Sequence, residues 1–386
     1  AYFLAISGVL SLLKESITII SSAKRTEKSA SSKYASSLNV GMITVSFAIS
    51  AKLVNNFIFG AYSNFQFMAN TCRICNNSEA NKTFNAKEMM YGLRETFEYF
   101  QCENCGCLQI SEFPENLAKY YPGNYYSFNS YDGKKFKGFK GAIKKKQYEA
   151  AALGGKVYKS TFGKILGKKE YAIFKGLNIT KDTRLLDVGC GNGRNFLYPL
   201  AEVGFKKVVG CDPFLQETIE YKNGLTIKKS SIYEIEDTFD VITYHHAFEH
   251  LPDPLESLQK AYNLLAPGGV CILRIPTVSS FAWEHYGVDW VQLDAPRHFF
   301  LHSKKSMQLL ADKANFDLYK IEYDSTHFQF SGSEKYRKDI PLSAPKFKGF
   351  KNSLKRKMDN FKYEQKAHCL NKENRGDQAA FYLRKK

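Results

Sequence analysis

The sequence predicts an α/β protein in which a doubly wound, mostly parallel sheet follows a small cysteine-rich module. From Lys181 onward, short apolar runs alternate with amphipathic stretches, which is the pattern of βαβ units. Upstream, four cysteines stand in two Cys-x-x-Cys pairs separated by 26 residues. A glycine-rich segment directly follows the first apolar run, as in sheets that bind a nucleotide-like ligand at the ends of their strands.

The predicted strands are short apolar runs, and the predicted helices carry apolar residues three or four positions apart. Strands are expected at Arg184–Val188, Lys207–Cys211, Thr226–Lys228, Phe239–Tyr244, Val270–Ile275, Leu318–Tyr323 and Gln378–Leu383. Helices are expected at Asn195–Val203, Leu255–Leu265 and Lys304–Ala314. A basic, helical stretch is also expected before the sheet, from Tyr148 to Gly176.

The chain of 386 residues is long enough for two domains and divides into four predicted segments. These are a poorly defined extension (1–67), a zinc-binding module with an aromatic linker (68–130), a basic helical linker (131–180) and the sheet domain (181–386), which has a basic insertion at about 331–377. Within the extension, polar residues interrupt both apolar stretches, so no stable membrane span is expected. The extension is either weakly membrane-associating or foreign to the functional protein, and we favour the second interpretation.

The composition is basic, with a formal net charge of +17. Such a surplus suits nucleic acid, an anionic membrane face or phosphorylated substrates. Nucleic acid is not expected, because the lysine-dense stretches contain few arginines and no recognisable binding module. There are nine cysteines, and the clustering of four of them in two pairs favours metal binding in a reducing compartment over disulfides. We therefore expect a cytoplasmic protein, with peripheral attachment to the inner membrane face as a further alternative.

The two cysteine pairs have the spacing of a zinc site. Each pair forms a tight knuckle, and four thiolates complete the tetrahedral shell that structural Zn²⁺ prefers. Gly106 suits the turn of the second knuckle, and Cys107 is interpreted as a bystander. A redox site would normally have a single pair beside a βαβ unit. The predicted ligands of a closed, structural site are Cys72, Cys75, Cys102 and Cys105.

The segment from Leu185 to Gly193 predicts a cofactor site. An apolar strand runs into a G-x-G-x-G turn, which lets a ligand approach the backbone closely. Asp187 precedes the first glycine by two residues and can face a cationic amino-acid group. Asp212, about 20 residues beyond the turn, can accept hydrogen bonds from ribose hydroxyls, although a loop aspartate can also cap a helix.

These residues resemble the class I S-adenosylmethionine-dependent methyltransferases. Further stretches that resemble the family are Phe239–Ile242, His245–Pro254, Leu265–Val270 and Trp290–His302. The resemblance implies a Rossmann-like methyltransferase sheet that binds S-adenosylmethionine. The implied cofactor-binding residues are Asp187, Gly189, Gly191, Gly193, Asp212, Ser231, Ile232 and His245. Ser231 and Ile232 stand where the family usually offers an acidic residue to adenine, so this contact departs from the pattern.

The cysteine module is similar to the zinc-binding N-terminal domain of sugar-modifying methyltransferases. This resemblance implies a small-molecule acceptor such as a nucleotide-linked sugar or lipid-linked surface glycan, and a place in polysaccharide biosynthesis. Two alternatives remain open: an O-methyltransferase of a quinone-like or other small aromatic molecule, and a non-catalytic zinc-containing scaffold. The basic stretches are either solvated helix faces or surfaces that attract anionic acceptors.

Methyl transfer to a hydroxyl or an enolisable carbon needs a general base. The catalytic candidates are Glu249, His250 and His298. Glu249 and His250 can alternatively be a helix-start cap, and His298 a structural loop residue. Some quinone-pathway enzymes with a similar Glu-His pair use it around a divalent ion. Arg297 is expected to hold a phosphate, and the tyrosine cluster Tyr120–Tyr126 to act as a lid or a hinge.

Overall fold

The computed structural model describes residues 71–121, 131–154, 169–345 and 350–385. The extension 1–67 and the end of the tyrosine cluster lie outside these residues, as do 155–168 of the basic linker. The described strands, in chain order, are β1 (Lys82–Lys87), β2 (Thr96–Gln101), β3 (Leu108–Ile110), β4 (Leu185–Val188), β5 (Val208–Cys211), β6 (Ile219–Glu220), β7 (Thr226–Lys228), β8 (Phe239–His245), β9 (Leu265–Pro276), β10 (Phe300–Leu301), β11 (Phe316–Tyr323) and β12 (Gln378–Lys385).

The described α-helices are α1 (Gly138–Leu153), α2 (Leu197–Glu202), α3 (Pro254–Leu264), α4 (Phe281–Tyr286), α5 (Lys304–Lys313), α6 (Phe328–Ser331), α7 (Ser333–Tyr336) and α8 (Phe350–Lys372). The first residues of two of these helices explain where each helix begins. Pro254 occupies the first turn of α3, where its missing N–H costs nothing. Ser303 caps α5 by accepting a hydrogen bond from the backbone N–H of Ser306 at 2.9 Å.

Eight strands form the main sheet in the order β11-β12-β9-β8-β4-β5-β7-β6. The centre is parallel, because β4 pairs in parallel with β5 and β8, and β8 with β9. β12 lies antiparallel between β9 and β11. The predicted α/β fold is thus confirmed, with a mixed sheet in which β6 also lies antiparallel to β7. The seven predicted strands are all present, and β9 begins five residues earlier than expected.

Both faces of the sheet are buried. Along β4, Leu185 packs into one hydrophobic cluster and Leu186 into the other, and Val241 and Ile242 of β8 divide in the same way. This follows from the two-residue period of a strand, whose successive side chains point to opposite faces. Neither cluster can form without the helices and turns that cover it, so the sheet is doubly wound.

The cysteine-rich module has its own sheet, in the order β1-β2-β3-β10. Its last strand comes from the far later Trp290–His302 stretch, and Phe300 and Leu301 pair with Gln109 and Leu108. The module also lies against α5, where the Lys305 ammonium donates to the carbonyl of Asn104 at 2.6 Å. The module is therefore completed by the same loop that carries His298.

A buried ion-pair network reinforces this connection. Arg297 is fully buried and donates to Asp294 at 2.6 Å and to Glu88 of the module at 2.9 Å. Its guanidinium also lies 3.3 Å from the carbonyl of Tyr120. The expectation that Arg297 holds a phosphate is wrong for this structure, because two carboxylates already neutralise the cation inside the protein.

Replacing Arg297 with methionine should destabilise the protein by about 3–5 kcal/mol, because the buried Glu88 and the partly buried Asp294 lose their cation. Urea denaturation gives the change in the free energy of unfolding. The matched control is Arg94→Met, which breaks an ion pair to Asp339 whose side chains are 44% and 59% exposed. That change should cost less than about 1 kcal/mol. Equal effects of the two substitutions would contradict a structural role for the Arg297 network.

Candidate functional site

The turn after β4 needs its glycines. Gly189, Gly191 and Gly193 have φ angles of +68°, +55° and +66°, a region that residues with a Cβ rarely adopt. Space is also lacking: a Cβ on Gly189 would lie 2.5 Å from that of Ala247. The glycines therefore place the turn directly against the segment that follows β8.

Two buried carboxylates hold this turn. Asp187 accepts a hydrogen bond from the Thr243 hydroxyl at 2.8 Å and lies 3.1 Å from Nδ1 of His245. Asp212 accepts from the backbone N–H of Gly191 at 2.8 Å and from that of Phe214 at 2.9 Å. Burial raises the pKa of Asp212 in spite of these two bonds. Each oxygen of Asp212 can accept one more hydrogen bond, as a ribose hydroxyl requires.

His245 is aligned by the same carboxylate. Its ring lies over Phe196, with 4.0 Å between ring centroids. Its Nε2 is buried and has no hydrogen-bond partner among the described residues. A buried ring nitrogen without a partner is costly unless a ligand supplies one. His245 therefore fits the predicted position beside a cofactor.

The predicted adenine contact is less well supported at Ser231. Its hydroxyl and backbone N–H both donate to Glu234, at 2.7 and 2.9 Å, and this capping box starts a 3₁₀ turn at Ile232. The neighbouring Ser230 has a buried hydroxyl with no partner in the described part of the chain. Ser230 is the better placed of the two hydroxyls for a ligand, a difference that only the capping geometry reveals.

Glu249 is the most unusual charged residue near the turn. It is fully buried, and neither carboxylate oxygen has a hydrogen-bond partner within the described ranges. Nδ1 of His246 lies 3.5 Å from Oε1, and Nε2 of His298 lies 3.9 Å from it. Burial alone would raise the pKa of Glu249, but His246, His250 and His298 outweigh it and lower the pKa to about 2. The group is a carboxylate at neutral pH.

Backbone carbonyls decide the tautomers of two histidines. Nδ1 of His250 lies 2.8 Å from the carbonyl of Arg297, and Nδ1 of His298 lies 2.8 Å from that of Gln292. A carbonyl only accepts, so each Nδ1 carries a proton, and in the neutral form of either ring the lone pair is therefore on Nε2. Burial lowers the pKa of His250, which favours the neutral ring.

The three catalytic candidates Glu249, His250 and His298 come together in the structure, and one ligand atom of each lies within 4.8 Å of the others. Two unprotonated imidazole nitrogens beside a carboxylate can accept a proton from an acceptor group. The same donor set can hold a divalent cation, and histidine ligands usually donate their other N–H to a carbonyl as these do. The geometry allows both kinds of chemistry.

Sequence reasoning did not identify two residues of the site, Arg274 and Tyr99, and it left the role of a third, Tyr121, open. Arg274 donates to Nε2 of His246 at 3.0 Å, which leaves the proton of that ring on the nitrogen facing Glu249. Tyr99 of the cysteine module donates to the carbonyl of His298 at 2.8 Å. No sequence signal links these pairs, because they are far apart in the chain.

Tyr121, one member of the tyrosine cluster, is the third. Its hydroxyl lies 3.2 Å from Nδ1 of His250. Its ring stacks on that of Phe214, two residues after Asp212, with 6.3 Å between centroids and a 12° interplanar angle. Tyr121 therefore connects the glycine-rich side of the site with the Glu249 cluster. Tyr125 and Tyr126 lie outside the described residues.

The four predicted metal ligands also converge. The Sγ atoms of Cys72 and Cys105 are 3.5 Å apart, and those of Cys75 and Cys102 are 3.4 Å apart. Four thiolates at about 2.3 Å from a tetrahedral zinc ion would be separated by about 3.8 Å. The donor chemistry and spacing fit Zn²⁺, and no ligand position remains for a substrate.

Among the described helices, none is both long and apolar enough to cross a membrane.

Replacing Cys105 with serine should release the metal and lower the melting temperature, because binding energy in such a site is folding energy. Metal analysis of the purified protein, followed by thermal unfolding, tests this expectation. Cys107→Ser is the matched control, since Cys107 is equally buried but outside the four-thiol cluster. Absence of zinc from the unaltered protein, or its loss from the control, would count against the assignment.

The comparisons with known proteins concern part of the chain. Residues 162–321 match a family model described as a methyltransferase domain. A ubiquinone biosynthesis O-methyltransferase of Cereibacter sphaeroides (strain ATCC 17029) is 31% identical over 129 residues, covering 30% of this chain and 50% of the relative. Its counterpart in Ruegeria pomeroyi is 33% identical over 127 residues, with the same coverages. The chain thus spans about half the length of these curated relatives.

Solved structures with a related arrangement are more distant. An S-adenosylmethionine-dependent methyltransferase of Archaeoglobus fulgidus is 17% identical, with a TM-score of 0.36, covering 57% of this chain and 96% of that one. One of Thermotoga maritima, described as a possible histamine N-methyltransferase, is 20% identical, with a TM-score of 0.35 and coverages of 56% and 87%.

Proposed function

We propose that this protein, which carries a class I methyltransferase domain, transfers a methyl group from S-adenosylmethionine to a hydroxyl or carbon of a small polar acceptor. One observation carries the proposal. Tyr121 lies between Phe214 of the Asp212 turn and His250 of the buried base cluster. A cofactor held by the turn would therefore adjoin groups able to take a proton from the acceptor.

The residues at the carboxyl ends of β4, β5 and β8 fit the cofactor. The glycine turn keeps three backbone positions free of side chains, Asp187 offers a buried carboxylate, and Asp212 offers oxygens to a ribose. When bound, S-adenosylmethionine supplies a sulfonium-activated methyl group. His245 and Ser230 offer buried polar atoms without partners in the described ranges, which a bound cofactor would satisfy.

His250 is the proposed general base. Its lone pair is on Nε2, because Nδ1 donates to the carbonyl of Arg297. The carboxylate of Glu249 stabilises the imidazolium that forms when His250 takes the acceptor proton. His298, whose ring centroid lies 4.7 Å from that of His250, helps to align the acceptor beside the proposed base. A non-catalytic scaffold would have no use for a buried carboxylate that lacks a hydrogen-bond partner in the described ranges.

A nucleotide-linked sugar or surface-glycan unit is the proposed acceptor, supported by the cysteine module, which we propose binds Zn²⁺ structurally, and by the basic surplus. The second candidate is a quinone-like aromatic. It is favoured by the names of the curated relatives and by the donor set of Glu249, His250 and His298, which suits a divalent ion. Activity on a panel of both acceptor classes, with and without a chelator that leaves the cysteine-bound metal in place, separates the two.

Asp212→Ala should weaken binding of S-adenosylmethionine by about 100-fold or more, because it removes the ribose acceptor and frees the backbone N–H of Gly191. Isothermal titration calorimetry measures the change. Asp237→Ala, an exposed aspartate with 63% side-chain exposure, is the control and should bind normally. Unchanged affinity in the Asp212 variant would overturn the cofactor assignment, and absence of binding by the unaltered protein would overturn the proposed function.

His250→Ala should lower kcat by about 10²- to 10⁴-fold while leaving cofactor affinity unchanged. In the unaltered enzyme, the base works when neutral, and burial lowers the pKa of His250 from its ordinary 6.5. The rate should therefore stay high as the pH falls through 6.5 and decline only below it. His285→Ala, an exposed histidine on α4, is the control. A decline centred above pH 6.5 would argue against His250.

A further inference from the structure

The helix α8 carries an exposed apolar stripe. Leu354, Met358 and Phe361 are spaced by four and three residues, so they lie on one face of the helix. Their exposed fractions are 50%, 55% and 66%. The stripe is not the face that packs on the protein, because that face carries the buried residues Ala367 and Leu370.

The same helix is strongly basic. Its 23 residues include seven lysines and arginines against two acidic residues, a surplus of five positive charges. At about 100° per residue, Lys357 falls on one side of the stripe and Lys362 on the other. Both are exposed. The apolar stripe is thus bordered by cations.

We propose that this stripe docks on an anionic lipid bilayer, with α8 lying in the plane of the interface. Apolar side chains enter the boundary between headgroups and acyl chains while flanking lysines contact anionic headgroups. Charge complementarity singles out this partner. A second copy would bring two helices of the same positive charge together, and binding to a phosphate backbone would make no use of three exposed apolar side chains.

The first test is co-sedimentation of the full chain with vesicles of phosphatidylcholine alone or mixed with phosphatidylglycerol. Binding is expected only to the mixed vesicles and should weaken at high salt. The variant Leu354→Ser/Met358→Ser/Phe361→Ser should bind about tenfold more weakly or worse. The control Leu93→Ser/Val288→Ser removes exposed apolar side chains elsewhere and should bind normally.

A charge variant keeps the test decisive if the apolar variant fails to fold. Lys355→Gln/Arg356→Gln/Lys357→Gln should also weaken binding at least about tenfold. The matched control is Lys140→Gln/Lys144→Gln/Lys146→Gln, which removes three exposed lysines from α1 and the same total charge. Equal loss in both charge variants would mean that net charge, and not α8, drives binding.

Other outcomes would overturn the proposal. These are no binding of the unaltered protein to the mixed vesicles, and undiminished binding by the folded α8 variants. A third is a shift from dimer to monomer in the apolar variant by sedimentation velocity, which would assign the stripe to a second copy. A fourth is a preference for duplex nucleic acid that depends on the α8 lysines. Vesicle binding needs no cofactor. Its absence would therefore leave the proposed methyl transfer unaffected, and absence of methyl transfer would leave vesicle binding unaffected.

Discussion

The guanidinium of Arg297 has no contact with water, and a cation in such a position must be neutralised and hydrogen-bonded. Glu88 supplies one carboxylate from the cysteine-rich module, and Asp294 supplies another from the loop of Arg297 itself. The carbonyl of Arg297 then accepts the hydrogen bond that orients His250. One electrostatic requirement thus joins the module, the loop and the proposed base, and displacement of any one of them would leave a buried charge unpaired.

This arrangement gives the cysteine-rich module a role in the site without any substrate contact. Its sheet ends in β10, which belongs to the loop of His298, and Tyr99 holds the carbonyl of that histidine. A metal ion held by the four thiols, as proposed above, would stabilise the sheet from which Tyr99 projects. Its removal would then disturb the proposed base cluster, although a closed four-thiolate site performs no chemistry of its own.

The buried carboxylates of the site differ in whether they are hydrogen-bonded. Asp187 and Asp212 are buried but hydrogen-bonded to the elements they hold in place. Glu249 is buried and its oxygens have no hydrogen-bond partner in the described ranges, and the nearby His246, His250 and His298 lower its pKa. Hydrogen-bonded carboxylates such as Asp187 and Asp212 are typical of structural positions. A buried carboxylate without such bonds, such as Glu249, is typical of groups that bind a proton or a ligand during function. The contrast separates residues that shape the cofactor turn from those placed for chemistry.

The sequence by itself determined seven strands and three helices of the main sheet domain, the glycine-rich turn, the carboxylate after β5 and the two cysteine knuckles. These features are local: strand and helix periods depend on neighbouring residues, and a turn with positive φ needs glycine wherever it occurs. The convergence of Glu249, His250 and His298 was predictable only as a set of candidates, because the pattern of residues does not state which nitrogen carries a proton.

Tertiary structure alone decided the remainder. It placed Arg297 in the interior instead of at a phosphate, and it brought Tyr121 to His250 across 129 residues of chain. These outcomes depend on burial and on hydrogen bonds between segments that are distant in sequence. Such contacts form when the helices and turns on both faces pack against the sheet, and no local pattern of residues encodes them.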